Sequence, residues 1–243
     1  MEILLNSKQA TTKRETSSLK RTISIHQPAY LPWLGYFDKI LRSDIFVFLD
    51  CVQYEKNSFI NRNKIKSKEG GMWLTVPVLS KGHLDSSLLQ TRIDQTKNWK
   101  KKHLQSIEMN YGKAPRFQKQ NLLDLFRWNG ELISDLCFEQ LKFWFKEIGY
   151  QPEIIRASNL AIEGAKSNLI LKICEELNAT HYISGSQGRE YIDEKEFQLK
   201  KVEVVYQSYT GPSYSQLHGE FIPNLSVLDA WMNVDLKDLL KRG

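Results

Sequence analysis

The sequence predicts an α/β protein built on an open, mostly parallel sheet with a helical insertion. Three observations carry that prediction. Residues 45–49, IFVFL, form an apolar run between Asp44 and Asp50, the pattern of a strand covered on both faces. Ahead of them, a β-branched stretch at 22–26 leads into residues 33–41, where Leu34, Phe37, Ile40 and Leu41 recur at helical spacing, giving a strand-helix-strand unit. Strand patterns return from residue 180 onward, whereas 97–150 carry only helical periods.

The remaining elements follow in order. A helix is expected to begin at 59–66, and MWLTVPV at 72–78 reads as a strand until Pro77 limits its pairing. Helices are predicted at 99–111, 118–128 and 131–148; the last places Leu132, Ile133, Leu136, Leu141, Trp144, Phe145 and Ile148 on one broad stripe. A brief strand at 153–155 precedes an amphipathic helix at 166–178, which Asn178 helps to end. Strands at 180–184 and 202–206 follow, then a helix over 226–232 capped by Ser226. Residues 1–20 read as a polar tail and 21–243 as one domain with its helical insertion at about 97–150.

A chain of 243 residues, 41% hydrophobic and 11% aromatic, can bury a sizeable core. The net charge of +6 admits an anionic partner but is a small excess over 28 acidic residues. Its clusters, Lys97 with Lys100 to Lys102 and Lys64 with Lys66 and Lys68, lack interleaved aromatics, so nucleic acid is not the expected partner. Cys51, Cys137 and Cys174 are odd in number and widely spaced, which suits reduced thiols in the cytoplasm, and no zinc-binding spacing occurs. No apolar run is long enough to cross a bilayer.

Three polar loops follow predicted strands, where open parallel sheets bind ligands. In the first, HQPAYLPWLGY, His26 can act as a base, Gln27 can both donate and accept, and Pro28 and Pro32 stiffen the backbone around Tyr30, Trp33 and Tyr36. The second runs from Asp50 to Asn61 and Arg62, where a cation at a predicted helix start would be balanced by a bound anion. The third, Ser184, Gly185, Ser186, Gln187, Gly188 and Arg189, has the glycines, hydroxyls and guanidinium of an anion-binding nest. His218, in an aromatic and amide-rich segment, is placed to close over the site. His83 and His103 read as surface residues and His181 as a core candidate; Cys51 is disfavoured as a nucleophile beside the Asp50 carboxylate.

The stretches HQPAYLPWLGYFDKI, FINRNKI, WLTVPV, YISGSQGREYID and FIPNLSVLDAW, in this order, resemble the WbqC-like family over nearly everything after residue 20. That resemblance implies a role in bacterial O-antigen or other surface polysaccharide biosynthesis, with glycine transfer to an amino sugar as the proposed reaction. Residues 183–189 are also similar to a late motif of the nucleotidyltransferase superfamily, which implies a Rossmann-like, nucleotidyltransferase-like sheet. Where that superfamily has Gly-His, this chain has Gly35 and Tyr36.

On these grounds the expected activity is transfer of an acyl or aminoacyl group to the amine of a nucleotide-linked amino sugar. His26 is the expected base, with Gln27 beside it. Substrate would be held by Tyr30, Trp33, Tyr36, Asp50, Asn61, Arg62, Ser184, Gly185, Ser186, Gln187, Arg189 and His218. The donor stays open among an ATP-activated acid, with magnesium, a coenzyme A thioester and an aminoacyl transfer RNA. Nucleotidyl transfer and noncatalytic binding of a sugar nucleotide are the alternatives.

Overall fold

A computed structural model describes residues 20–79 and 87–240; residues 1–19 of the expected polar tail and His83 lie outside them. Five parallel strands form the central sheet: β1 (Thr22–His26), β2 (Ile45–Phe48), β5 (Glu153–Arg156), β6 (His181–Ser184) and β7 (Glu203–Tyr206), in the order β5-β2-β1-β6-β7. Period-two alternation divides β2 between two cores. Phe46 and Phe48 pack with α1 (Leu34–Leu41) and α4 (Ile133–Ile148), while Ile45 and Val47 pack with α5 (Lys166–Glu176) on the other face. The expected α/β fold with helices on both faces of a parallel sheet is therefore present.

The predicted helical stretch between β2 and β5 contains α2 (Trp99–Tyr111), α3 (Lys119–Leu125) and α4. Asn178 adopts φ 51° directly after α5, and the Ala179 amide reaches back to the Cys174 carbonyl at 2.9 Å, as the helix-ending role of Asn178 requires. After β6 the chain forms a short 3₁₀ turn and then α6 (Glu194–Leu199), which the sequence reading omitted. The Ser226 side chain accepts the Leu228 amide at the start of α7 (Val227–Asn233), and α8 (Leu236–Leu239) ends the described chain.

One element differs in kind from its prediction. Residues 59–66 do not begin a helix; Arg62–Ser67 is β3, paired antiparallel with β4 (Gly70–Thr75) in a separate two-stranded ribbon. Asn61, Asn63 and Ile65 face inward, Arg62 and Lys64 outward. Asn63 is fully paired, Nδ2 donating to the Leu31 carbonyl at 2.7 Å and Oδ1 accepting the Lys64 amide at 2.8 Å, whereas Asn61 donates from Nδ2 to the Val76 carbonyl at 2.8 Å and leaves its buried Oδ1 without a partner.

The lysines at 64–68 are accordingly not one surface cluster. Lys66 is 1% exposed, and its ammonium donates to Gln216 Oε1 at 3.0 Å and to the Gly219 and Glu220 carbonyls. Nearby, the Asp229 carboxylate accepts from the Tyr111 and Tyr214 hydroxyls, each at 2.7 Å. This buried network fastens residues 214–220 to the ribbon, α2 and α7.

Candidate functional site

In the order β5-β2-β1-β6-β7 the chain winds outward in both directions from β1, so the topological switch lies between β1 and β6. In open parallel sheets the loops leaving the two strands at such a point diverge, and ligands are held in the crevice between them. His26 ends β1 on one side and Ser184 ends β6 on the other.

The first loop is rigid before any ligand arrives. Between its two prolines Leu31 holds φ 45°, left-handed backbone that costs a branched residue roughly 1–3 kcal/mol. Three anchors impose it: Tyr30 N–H donates to the Phe59 carbonyl (2.9 Å), Asn63 Nδ2 to Leu31 O (2.7 Å), and Val227 N–H to Pro32 O (2.6 Å). The ribbon and α7 thus fix where the loop carries its aromatic residues.

His26 lies edge-on to Trp33 and Tyr36, with ring centroids 5.6 and 4.8 Å away. Its Nδ1 is 3.0 Å from the Gln27 carbonyl, an acceptor only, which assigns the proton to Nδ1 and leaves a lone pair on Nε2. Burial pulls the imidazole pKa down to about 3; Lys39 pushes the same way and the Gln27 carbonyl opposes. At neutral pH the ring is therefore uncharged, with its Nε2 lone pair unprotonated.

Lys39, which the sequence reading passed over, sits directly behind it. The side chain is 2% exposed, donates to the Ile25 carbonyl at 3.0 Å and, among the described residues, forms no ion pair. Burial lowers its pKa to about 7. An ordinary value near 10.4 in the unfolded chain means that the unfolded state binds more protons between pH 7 and about 10, so this group makes stability rise with pH in that window. Lys39→Met should raise the thermal midpoint at pH 7 and flatten its increase toward pH 9, as thermal unfolding at both values would show. Equal slopes in the two proteins would contradict the lowered pKa.

The far side of the crevice is bolted by the residues that follow β7. Gln207 N–H donates to the Ser184 carbonyl at 2.8 Å, and its Nε2 reaches Gly35 O at 2.8 Å and Asp38 Oδ2 at 2.6 Å. A Cβ on Gly35 would stand 2.8 Å from the Tyr209 ring, so the glycine is what lets Tyr209 pack against the first turn of α1. Beside that ring a small hollow is lined by Leu34, Tyr214, Phe221 and Asn224.

The structure thus gathers His26, Gln27, Trp33 and Tyr36 and adds Lys39, Gln207 and Tyr209. Other candidates stand elsewhere. Tyr30 is fully buried, its hydroxyl donating to His103 Nδ1 at 2.7 Å; His103 is itself buried rather than a surface residue, and Nε2 donates to Thr75 O. Asp50 is 0% exposed and saturated by Arg156 Nε (2.6 Å), Ser158 N–H (2.9 Å) and Ser158 Oγ (3.0 Å), which leaves it no face toward a substrate. Asn61 is a buried backbone brace, and Arg62 lies on a strand, so no helix dipole acts on it.

Ser184 is buried, and a Cβ on Gly188 would fall 1.9 Å from its Oγ, so the turn at Ser186–Glu190 closes tightly on the strand end. Gly185, Ser186 and Gln187 remain at the surface of that turn. Arg189 stacks over Tyr206 at 4.0 Å, on the edge strand two places from β1, instead of joining His26. His218 donates from Nε2 to the Asn110 carbonyl at 2.9 Å and is held against α2, away from the crevice. His181, at the opposite end of β6, is half-buried and lies 3.3 Å from Glu203 Oε2. Burial, followed by the Asp50 charge, raises the Cys51 pKa, which agrees with its exclusion as a nucleophile.

Residues 27–240, which take in the first loop from Gln27, the ribbon, the helices and every later strand, match the model of the WbqC-like protein family. The chain belongs to that family. The uncharacterized protein Rv1507c of Mycobacterium tuberculosis is similar to this WbqC-like chain, 32% identical over 226 residues that cover 88% of the chain and 94% of that protein. No solved structure matches it. Among the described residues no helix is long and apolar enough to cross a membrane.

Proposed function

We propose that this WbqC-like protein is a cytoplasmic enzyme of surface polysaccharide biosynthesis that transfers a glycyl or other acyl group to the amine of a nucleotide-linked amino sugar. The observation that supports this reading best is the uncharged His26 ring. Its Nδ1 is committed to Gln27 and its Nε2 lone pair is free, between aromatic walls at the switch point. The neutral amine attacks the acyl carbon, forming the C–N bond as the bond to the leaving group breaks. The proton that becomes acidic on nitrogen passes to His26 Nε2 and then to the leaving group or to water. Burial keeps His26 uncharged at neutral pH, and its low pKa makes it a weak acceptor whose imidazolium gives the proton up at once.

Nucleotidyl transfer draws less support. The place where a triphosphate would meet the N-terminus of α1 is taken by Gln207 and Tyr209, and Arg189 is turned over Tyr206. ATP enters the proposal as an activator of the acyl donor, beside coenzyme A and aminoacyl transfer RNA. The test is incubation of the purified protein with a nucleotide-linked amino sugar, glycine and ATP, read by mass spectrometry, with glycyl-coenzyme A and glycyl transfer RNA as parallel donors. A glycyl-bearing sugar nucleotide is expected with one donor; a transferred nucleotidyl group instead would replace this reading with the alternative.

A further inference from the structure

An aromatic path leaves the crevice along the ribbon. Trp33, which touches His26, lies 5.2 Å from Phe59, and Phe59 lies 6.0 Å from Trp73, centroid to centroid. Phe59 is 46% exposed and Trp73 40%, so this path is open to a ligand over much of its length. Two cations border its far end: the Arg62 guanidinium 4.4 Å and the Lys64 ammonium 4.9 Å from the Trp73 ring. Neither forms an ion pair among the described residues; Arg62 Nη2 donates to the Asn57 carbonyl at 2.5 Å, while its buried Nε has no hydrogen-bond partner. Arg62 and Lys64 are two residues apart on one strand, so both project from the outer face, on which Trp73 stands opposite Lys64. A basic group interleaved with aromatics is thus present here, formed by strand pairing rather than by neighbours in the sequence.

We infer that the outer face of the β3–β4 ribbon is the docking strip for the sugar diphosphate of a nucleotide-linked substrate. The sugar ring lies against Trp33 and Phe59, and the diphosphate lies between Arg62 and Lys64. The inference rests on the transfer reading for the position of the reacting amine at His26, and it adds where the carrier is held. Charge complementarity selects the occupant: two cations without a carboxylate partner among the described residues call for a compact dianion, and flat apolar rings suit the C–H face of a pyranose. A neutral saccharide would leave both cations without a counter-ion.

Binding can be measured without an acyl donor, by tryptophan fluorescence and calorimetry with UDP-N-acetylglucosamine, UDP and N-acetylglucosamine as probes. UDP-N-acetylglucosamine should bind most tightly, UDP less and the free sugar least. Trp73→Ala should weaken the first about tenfold, and Arg62→Gln with Lys64→Gln should weaken it further and remove most of its salt dependence. Unchanged thermal midpoints would confirm that these outward-facing variants fold. Full affinity in the variants, no binding of the sugar nucleotide, equal binding of the free sugar, or tighter binding of a single-stranded RNA oligonucleotide would each overturn the strip. Binding that maps to these residues without any transferred acyl group would keep the strip and discard the reaction. Product formed with an unaltered KM in the variants would do the reverse.

Discussion

His26→Ala should lower turnover by about 10²–10⁴-fold, the range expected when a positioned proton acceptor is removed, while sugar-nucleotide affinity changes little. The wild-type pH profile is a second part of the same prediction. With the ring neutral above about pH 3, activity should show no His26 inflection near 6.5, so any change near 7 falls to Lys39. His26→Gln, which keeps bulk and a polar tip between Trp33 and Tyr36, separates chemistry from packing. Should both variants retain specific activity while losing stability, His26 is a packing residue and the proposed base is wrong.

Asp50→Ala should destabilise the fold by about 3–5 kcal/mol, measured by urea unfolding, because it leaves the Arg156 Nε and the Ser158 amide without their acceptor in a buried place. Arg156 keeps Asp135 Oδ1 at 2.8 Å, which holds the loss toward the lower end of that range. The double variant Asp50→Ala with Arg156→Leu should recover part of it, since the stranded charge is then gone. A stable Asp50→Ala protein with weakened sugar-nucleotide binding would instead restore the substrate role expected from its place after β2.

The parallel sheet was legible because its evidence is local. IFVFL, the β-branched 22–26 and the strand before the third loop announce themselves through continuous apolar character. Of the ribbon, β4 was legible in MWLTVPV but β3 was not, although residues 61–65 alternate inside and outside. Two of its inward positions are the amides Asn61 and Asn63, and their burial is licensed by carbonyls at Val76 and Leu31 that no local pattern reveals. Reading FINRNKI as helical then misplaced Arg62 and hid the grouping of Lys64 with Trp73.

The same limit divides the site. His26, Gln27, Trp33 and Tyr36 are neighbours in one loop and could be found together. Gln207 and Tyr209 meet that loop only through the return of the chain after β7, and Tyr30 was drawn into the core by His103, 73 residues away. Lys39 left one usable signal: α1 is buried around nearly its whole circumference, as the mixture of Leu34, Tyr36, Phe37, Ile40 and Leu41 suggests, so a lysine within it has little room to reach water.

The left-handed Leu31 carries an evolutionary consequence. Because Asn63 on β3 helps hold that backbone, the hairpin and the loop are bound to change in concert. A relative that lost the ribbon, or carried an apolar residue in place of Asn63, should be found with glycine or asparagine where this protein has leucine.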